Sequence, residues 1–136
     1  NVKEYLGRMD FTILTSISEG QPLTILESYA AHKPTIATDV GNCRELIYGN
    51  DDGFGAAGIL THIMNLEEIA QAMIDLAIDP EGRKQMGEAG YQRVTSFYRI
   101  EQMKETYKEI YRRFAEEQQA GWTEEPFQLK PINEQI

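Results

Sequence analysis

Glu19 and Glu27 bracket a short polar run, Gly20-Gln21-Pro22, followed by Leu23-Thr24-Ile25-Leu26. A carboxylate accepts hydrogen bonds from hydroxyls and repels anions, so neither glutamate alone suits a phosphate. Between them, however, the sequence predicts the start of a helix. Pro22 suits its first position, where the missing N–H costs nothing. The free N–H groups of Leu23 and Thr24, with the positive end of the helix dipole, would form an anion site that needs no cationic side chain. Glu27 lies about five residues into that helix, roughly 7.5 Å along its axis. Two carboxylates flanking an anion site suit a ligand with hydroxyls on both sides of a phosphate. Ribose, diphosphate and hexose in sequence, as in a nucleotide-sugar, have that layout. A plainer reading stands beside it: loop glycines are common between strand and helix, and the dipole alone favours a Glu near a helix start.

The elements that must position these residues are legible around them. Phe11-Thr12-Ile13-Leu14-Thr15 is short, apolar and β-prone, as a strand buried on both faces should be. Ser16 to Gln21 is a polar loop, and the following helix carries Leu23, Leu26 and Ala30 as its apolar stripe. Lys33-Pro34 ends it, and Thr35-Ile36-Ala37-Thr38 reads as a second buried strand. Strand, helix and strand in this short span make a βαβ unit, which requires a parallel sheet. The four glycines between Asp39 and Ala57 mark a connection, with a short helix over Cys43–Ile47 and a brief strand at Gly58-Ile59-Leu60. Asn65 and Glu68 resemble a capping box for a helix whose stripe is Leu66, Ile69, Met73 and Leu76 or Ala77. Asp79-Pro80 opens a further helix reaching about Thr95, and a last one runs from about Arg99 to Gln118. The predicted class is α/β, a Rossmann-like parallel sheet with flanking helices and a helical C-terminus. After Gly121 the pattern has no period and reads as an extended or loose tail.

Composition bounds the partners. The chain has 136 residues, 41% of them hydrophobic, which is the composition of one globular domain. Its 13 Lys+Arg against 22 Asp+Glu leave a net charge of −9, so nucleic acid and anionic membrane are poor partners. No apolar run approaches the roughly 18 residues that could span a bilayer. A single cysteine, Cys43, fits a reducing, cytoplasmic setting and reads as a packed thiol rather than a nucleophile. His32 and His62 are too far apart to suggest a metal site. Asn1 is not an initiator methionine, and the chain opens straight into Val2-Lys3-Glu4-Tyr5-Leu6, a helix in progress. That opening reads as a piece of a longer polypeptide.

The run Glu19-Gly20-Gln21-Pro22-Leu23-Thr24-Ile25-Leu26-Glu27 resembles the Glu-x7-Glu motif of retaining glycosyltransferases of family 4, which have the GT-B fold. The resemblance extends to Ser16-Ile17-Ser18 before it and to Lys33 through Gly41, Glu45-Leu46-Ile47, Asp79-Pro80-Glu81, Arg83, Met86, Gly87, Phe97 and Tyr111 after it. Within the family, Cys43-Arg44-Glu45-Leu46-Ile47-Tyr48-Gly49 is most similar to the Pel-type branch of exopolysaccharide glycosyltransferases. By this resemblance, residues 1–118 are the C-terminal part of the nucleotide-sugar-binding domain and 119–136 a tail. Glu19 matches the first motif Glu, expected to act catalytically at the donor hexose. Gly20, Gln21 and Pro22 match the loop that approaches the sugar, Leu23 and Thr24 the helix start that receives the diphosphate, and Glu27 the Glu that holds the ribose. The implied activity is hexosyl transfer with retention from a donor such as UDP-glucose to a glycan or exopolysaccharide, without a required metal or other cofactor.

The sequence departs from the family pattern at three places. His32 stands where a Gly usually ends the motif helix, a residue tolerated in the left-handed region at some cost. Asn42 replaces the second glycine of a common Gly-Gly pair. The phosphate-binding Arg and Lys of the family, its base-binding region and its N-terminal acceptor domain all lie upstream, so these residues alone are expected to be inactive and to lack a partner domain. Among residues 1–65 the only cations are Lys3, Arg8, Lys33 and Arg44. A non-catalytic nucleotide-sugar-binding or interaction module of Rossmann-like fold is the alternative. The apolar row Ile100, Met103, Tyr107, Ile110 and Phe114 reads first as core, and its exposure would favour self-association. Asp51-Asp52 and Glu116-Glu117 read as solvated charge.

Overall fold

The computed structural model describes residues 2–119. The elements are, in chain order, α1 (Val2–Leu6), β1 (Thr12–Leu14), α2 (Leu23–Ala30), β2 (Thr35–Thr38), α3 (Cys43–Tyr48), β3 (Gly58–Thr61), α4 (Leu66–Ile78), α5 (Pro80–Phe97) and α6 (Ile100–Gln119). The tail anticipated after Gly121 lies outside the described residues. The chain divides into one compact unit, Asn1–Ile100, and a second that begins at Glu101.

In the first unit the three strands form one parallel sheet in the order β1-β2-β3. Thr12 pairs with Thr35 and Leu14 with Ala37; Thr35 pairs with Gly58 and Thr38 with Thr61. The parallel βαβ unit is therefore as the apolar runs predict. Its burial is not: β2 is buried throughout, whereas Ile13 in β1 is 40% exposed. The difference is one of position, because β2 has a neighbour on each side and β1 is an edge strand among the described residues.

The pleat of β2 divides the core into two layers. Ala37 joins Ile25 and Tyr29 of α2, Cys43, Leu46 and Ile47 of α3, and Ala89 of α5. Ile36, its neighbour in sequence, packs instead with Ala72 and Leu76 of α4. Two stripes shift from their expected positions. In α2 the buried residues are Ile25, Ser28 and Tyr29, at i, i+3 and i+4, while Leu23 is 67% exposed. The buried face is turned by more than about 100° from the expected stripe of Leu23, Leu26 and Ala30, since each residue turns the helix by about 100°. In α4 the inward residues are Ala72 and Leu76; Leu66 and Met73 are exposed.

Helix boundaries follow their capping residues. Asn65 accepts the Glu68 N–H at 3.1 Å, but the reciprocal half of the box is diverted: the Glu68 carboxylate takes the His62 N–H at 2.7 Å. Asp79 accepts the Gly82 N–H at 2.9 Å, with Pro80 at the start of α5. His32, after α2, has a φ of 55°. Its imidazole stacks on Tyr91 at 3.8 Å, which sets a ring contact against the cost of the left-handed backbone.

One expectation reverses. Asp51 is exposed, but the Asp52 side chain is only 5% exposed and forms a two-pronged pair with Arg93. The guanidinium also donates to the Leu46, Ile47 and Gly55 carbonyls, so one buried cation ties α5 to the end of α3 and to the glycine-rich connection. Described by itself, α6 carries Ile100, Met103, Tyr107, Ile110 and Phe114, each between 43% and 55% exposed.

Candidate functional site

In parallel α/β sheets, ligands bind beyond the carboxyl ends of the strands. The segment Ser16–Pro22 lies there, between β1 and α2. Helix α2 starts one residue later than expected: Leu23 is its first residue and Pro22 is the cap, with φ −74° and ψ 103°. Proline has no side-chain acceptor, and no side-chain bond caps this end. Ile25 donates to the Pro22 carbonyl at 3.2 Å. The N–H groups of Leu23 and Thr24 precede that bond and have no carbonyl one turn behind them within the helix. An uncapped helix start with a positive dipole end is thus present where the sequence put the anion site.

The loop ahead of it is held from two sides. On the β1 side, Ser16 donates to Glu19 Oε1 at 2.6 Å, and the buried Thr38 hydroxyl donates to the Ser16 carbonyl. On the other side, the turn after β2 presses against it. Gly41 has a φ of +50°, and a Cβ there would lie 2.0 Å from the Glu19 carbonyl oxygen, so no other residue fits without displacing the loop. Asn42 donates its backbone N–H to the Gly20 carbonyl at 3.1 Å and its side-chain amide to Gln21 Oε1 at 2.6 Å. Gly20 is different: a Cβ there would meet nothing within 4 Å. Among the described residues nothing requires a glycine at that position, and the space beside it is open.

Thr24 and Glu27 stand on the wall of a groove of about 360 Å³ that runs along β1. Its other walls are mostly apolar, from Leu6, Met9, Phe11 and Ile25. The structure therefore brings Gly20, Gln21, Pro22, Leu23 and Thr24 together at one loop and helix start, with Glu19 in that loop and Glu27 a turn along on the groove side. A hydroxyl chain supports the helix from below. Thr12 Oγ1 is 2.7 Å from Thr35 Oγ1 and 2.9 Å from Ser28 Oγ, and Ser28 donates to the Thr24 carbonyl at 2.9 Å.

One cation of this region, Arg44, is taken up by a carboxylate. Arg44 is bound to Asp39, whose carboxylate holds the guanidinium proton above its usual range. This pair lines a polar cavity of about 240 Å³ at the ends of β2 and β3, together with His62, which is 2.9 Å from Glu68. The His62 backbone N–H holds the Glu68 carboxyl below its ordinary value. Lys33 lies past the other end of α2, about 12 Å of helix away from Leu23. Cys43 is fully buried, and burial pushes its thiol up, as expected of a packed thiol rather than a nucleophile. Among the described residues no group of three or more His, Cys, Asp or Glu could hold a metal ion. None of the described helices is long and apolar enough to cross a membrane.

Sequence reasoning passed over Tyr98 and Arg93. The Tyr98 hydroxyl is 3.4 Å from Glu45 Oε1. Burial, and then the Glu45 carboxylate, raise its pKa. Neither residue has a local spacing signal, because each acts more than 35 positions away in sequence.

A parallel sheet with flanking helices is the Rossmann-like layout of GT-B proteins. The chain belongs to the glycosyl transferases group 1, whose family model matches residues 1–93. It is 32% identical over 111 residues to the N-acetyl-alpha-D-glucosaminyl L-malate synthase of Bacillus anthracis, covering 82% of this chain and 28% of that protein. It is 29% identical over 110 residues to the putative glycosyltransferase EpsD of Bacillus subtilis, covering 79% and 28%. In fold it resembles sucrose-phosphate synthase from Thermosynechococcus elongatus, with a TM-score of 0.73, 22% identity, and coverage of 81% of this chain and 26% of that one. The chain thus spans just over a quarter of the length of these relatives.

Proposed function

We propose that these residues are the donor-binding portion of a retaining, family 4 hexosyltransferase that uses a nucleotide-sugar, with UDP-glucose as the donor to test first. The observation that carries the reading is the uncapped start of α2 directly after the Glu19–Pro22 loop, in a chain of the group 1 family. In this reading Leu23 and Thr24 receive the diphosphate through backbone N–H groups, and the helix dipole stabilises the charge of the leaving group. The open side of Gly20 admits the hexose, Gln21 and Pro22 shape the loop around it, Glu19 acts at the sugar beside the reacting carbon, and Glu27 accepts the ribose hydroxyls. Charge stabilisation by a helix end needs no metal, and the reading includes none.

The acceptor in this proposal is a glycan, with exopolysaccharide of the Pel type suggested by the wording of Cys43–Gly49. The acceptor site and the missing cations would come from an N-terminal domain of the same polypeptide, in keeping with relatives nearly four times as long as the matched stretch. The setting would be the cytoplasm, where nucleotide donors are made, and the half-exposed apolar row of α6 would drive self-association wherever that domain is absent. Ligand-observed NMR with UDP-glucose on a polypeptide extended upstream tests the donor site. Loss of the signal in Glu19→Ala or Glu27→Ala supports the assignment, and unchanged binding in both overturns it.

A further inference from the structure

Asn42 occupies the cap position of α3, where an Asn side chain ordinarily accepts an N–H from the first turn of its own helix. Here it makes no such bond. Its amide turns away from α3 and donates to Gln21 Oε1 at 2.6 Å, while its backbone N–H donates to the Gly20 carbonyl at 3.1 Å. Gly41, immediately before it, brings the turn so close that a Cβ would lie 2.0 Å from the Glu19 carbonyl oxygen. On α3 itself, the Glu45 carboxylate is 3.4 Å from the Tyr98 hydroxyl at the end of α5. A side chain well suited to local capping has thus been given to the neighbouring loop.

We propose that Asn42 is a positioning residue for the sugar loop: acting through Gln21 and Gly20, it holds Glu19–Gln21 in the conformation that meets the donor. Asn42 touches no donor atom in this scheme, and its effect on binding rests on the donor reading above. Its effect on the loop does not. Because no cap bond is lost, Asn42→Ala leaves α3 and the fold almost untouched. Gln21 and Asn42 act as a unit, so removing either releases the loop and removing both does little more.

The test uses the whole chain in three variants, Asn42→Ala, Gln21→Ala and the double. Backbone 15N relaxation is measured first without ligand. The order parameters of residues 19–21 are expected to fall from the rigid range, about 0.85, toward about 0.6 in each variant, with α3 unchanged. Thermal unfolding midpoints serve as the fold control and are expected to fall by no more than about 4–8 °C, since one solvent-accessible hydrogen bond of about 1 kcal/mol is at stake. Rigid 19–21 amides in Asn42→Ala overturn the proposal, whatever the ligand does. Titration with UDP-glucose follows in the upstream-extended polypeptide. Affinity should weaken roughly three- to tenfold in each single variant and no further in the double, the loss expected of one hydrogen bond. Additive losses overturn the coupling. A parent that fails to bind UDP-glucose, alongside a loop that loosens as described, rejects that donor and leaves the positioning role standing. Asn42→Leu adds a check: it keeps the bulk of the side chain without the donor, so the loop should loosen in that variant as it does in Asn42→Ala, and a loop that stays ordered there overturns the role of the Asn42–Gln21 hydrogen bond.

Discussion

Replacing Asp52 by Ala removes the partner of the most deeply buried charge in the first unit. The Arg93 side chain is 2% exposed and that of Asp52 5%. Arg93 Nε is 2.5 Å from Oδ2 and Nη2 is 3.0 Å from Oδ1, and Oδ1 also accepts the Phe54 N–H at 3.0 Å. Removing one member of a buried ion pair costs about 3–5 kcal/mol, because the other charge stays buried without compensation. Arg93 would keep the Leu46, Ile47 and Gly55 carbonyls, which places the loss at the lower end, about 3 kcal/mol. In a unit of this size each kcal/mol lowers the unfolding midpoint by about 4–8 °C, so the expected drop is about 12–24 °C. Thermal unfolding followed by far-UV circular dichroism measures the drop, and urea unfolding the free-energy loss, with an unchanged slope as the sign that the denatured state is the same. Asp52→Asn keeps one acceptor oxygen and should lose roughly half as much. A loss in Asp52→Ala below about 1 kcal/mol, the size of an exposed pair, would mean that the carbonyls alone satisfy the guanidinium and that the pair holds nothing together.

Further outcomes are expected. Arg93 hydrogen-bonded to Asp52 holds its carboxyl below the ordinary range, so its protons bind less readily in the folded than in the unfolded state. That stability is present above the unfolded value of about 3.9 and is lost as pH falls through the lower folded one; Asp52→Ala should flatten the acid limb of stability against pH, and an unchanged limb would count against the pair. The Tyr29 hydroxyl is buried with no hydrogen-bond partner among the described residues, so Tyr29→Phe should be neutral or stabilising by up to about 1 kcal/mol in the same urea assay; destabilisation beyond about 1 kcal/mol would reveal a partner, such as a bound water. Gly20→Ala should leave the unfolding midpoint unchanged while weakening UDP-glucose binding. Gly41→Ala should lower both, losing at least about 1–2 kcal/mol from the left-handed backbone alone; equal midpoints for the two variants would contradict the close approach at Gly41. The 136 residues by themselves should transfer no sugar, and measurable turnover in a radiolabelled-donor assay would refute the need for a second domain.

The parallel sheet and its helices were legible because apolar runs such as Thr35–Thr38, with Pro34 and Pro80 as punctuation, are local signals. The Glu19–Glu27 loop and helix start were legible for the same reason. Which face of α2 is buried was not, since Leu23, Ile25, Leu26 and Tyr29 offer apolar side chains on several sides, and only the packing against Ala89 and Cys43 selects among them. Asp52 looked like surface charge because its partner is 41 residues away. The bracket on the sugar loop was hidden likewise: Asn42 lies 21 residues from Gln21, and Tyr98 53 from Glu45. His32, standing where the family has a helix-ending Gly, does adopt the left-handed backbone, and its stacking partner Tyr91 carries no local sequence signal.

Helix α2 is fastened at both ends, and this bears on how it meets a charge. At its far end His32 stacks on Tyr91 and lies 3.3 Å from Glu88, and α5 comes so near that a Cβ at Gly87 would be 2.2 Å from the His32 carbonyl oxygen. At its near end the loop is locked between Ser16 and Asn42. A dipole in liquid water must swing to face an arriving anion, and that reorientation consumes much of the attraction it then provides. The peptide dipoles of α2 have little room to swing. Their alignment was completed during folding, so a negative charge developing beyond Leu23 would meet a field already pointed at it.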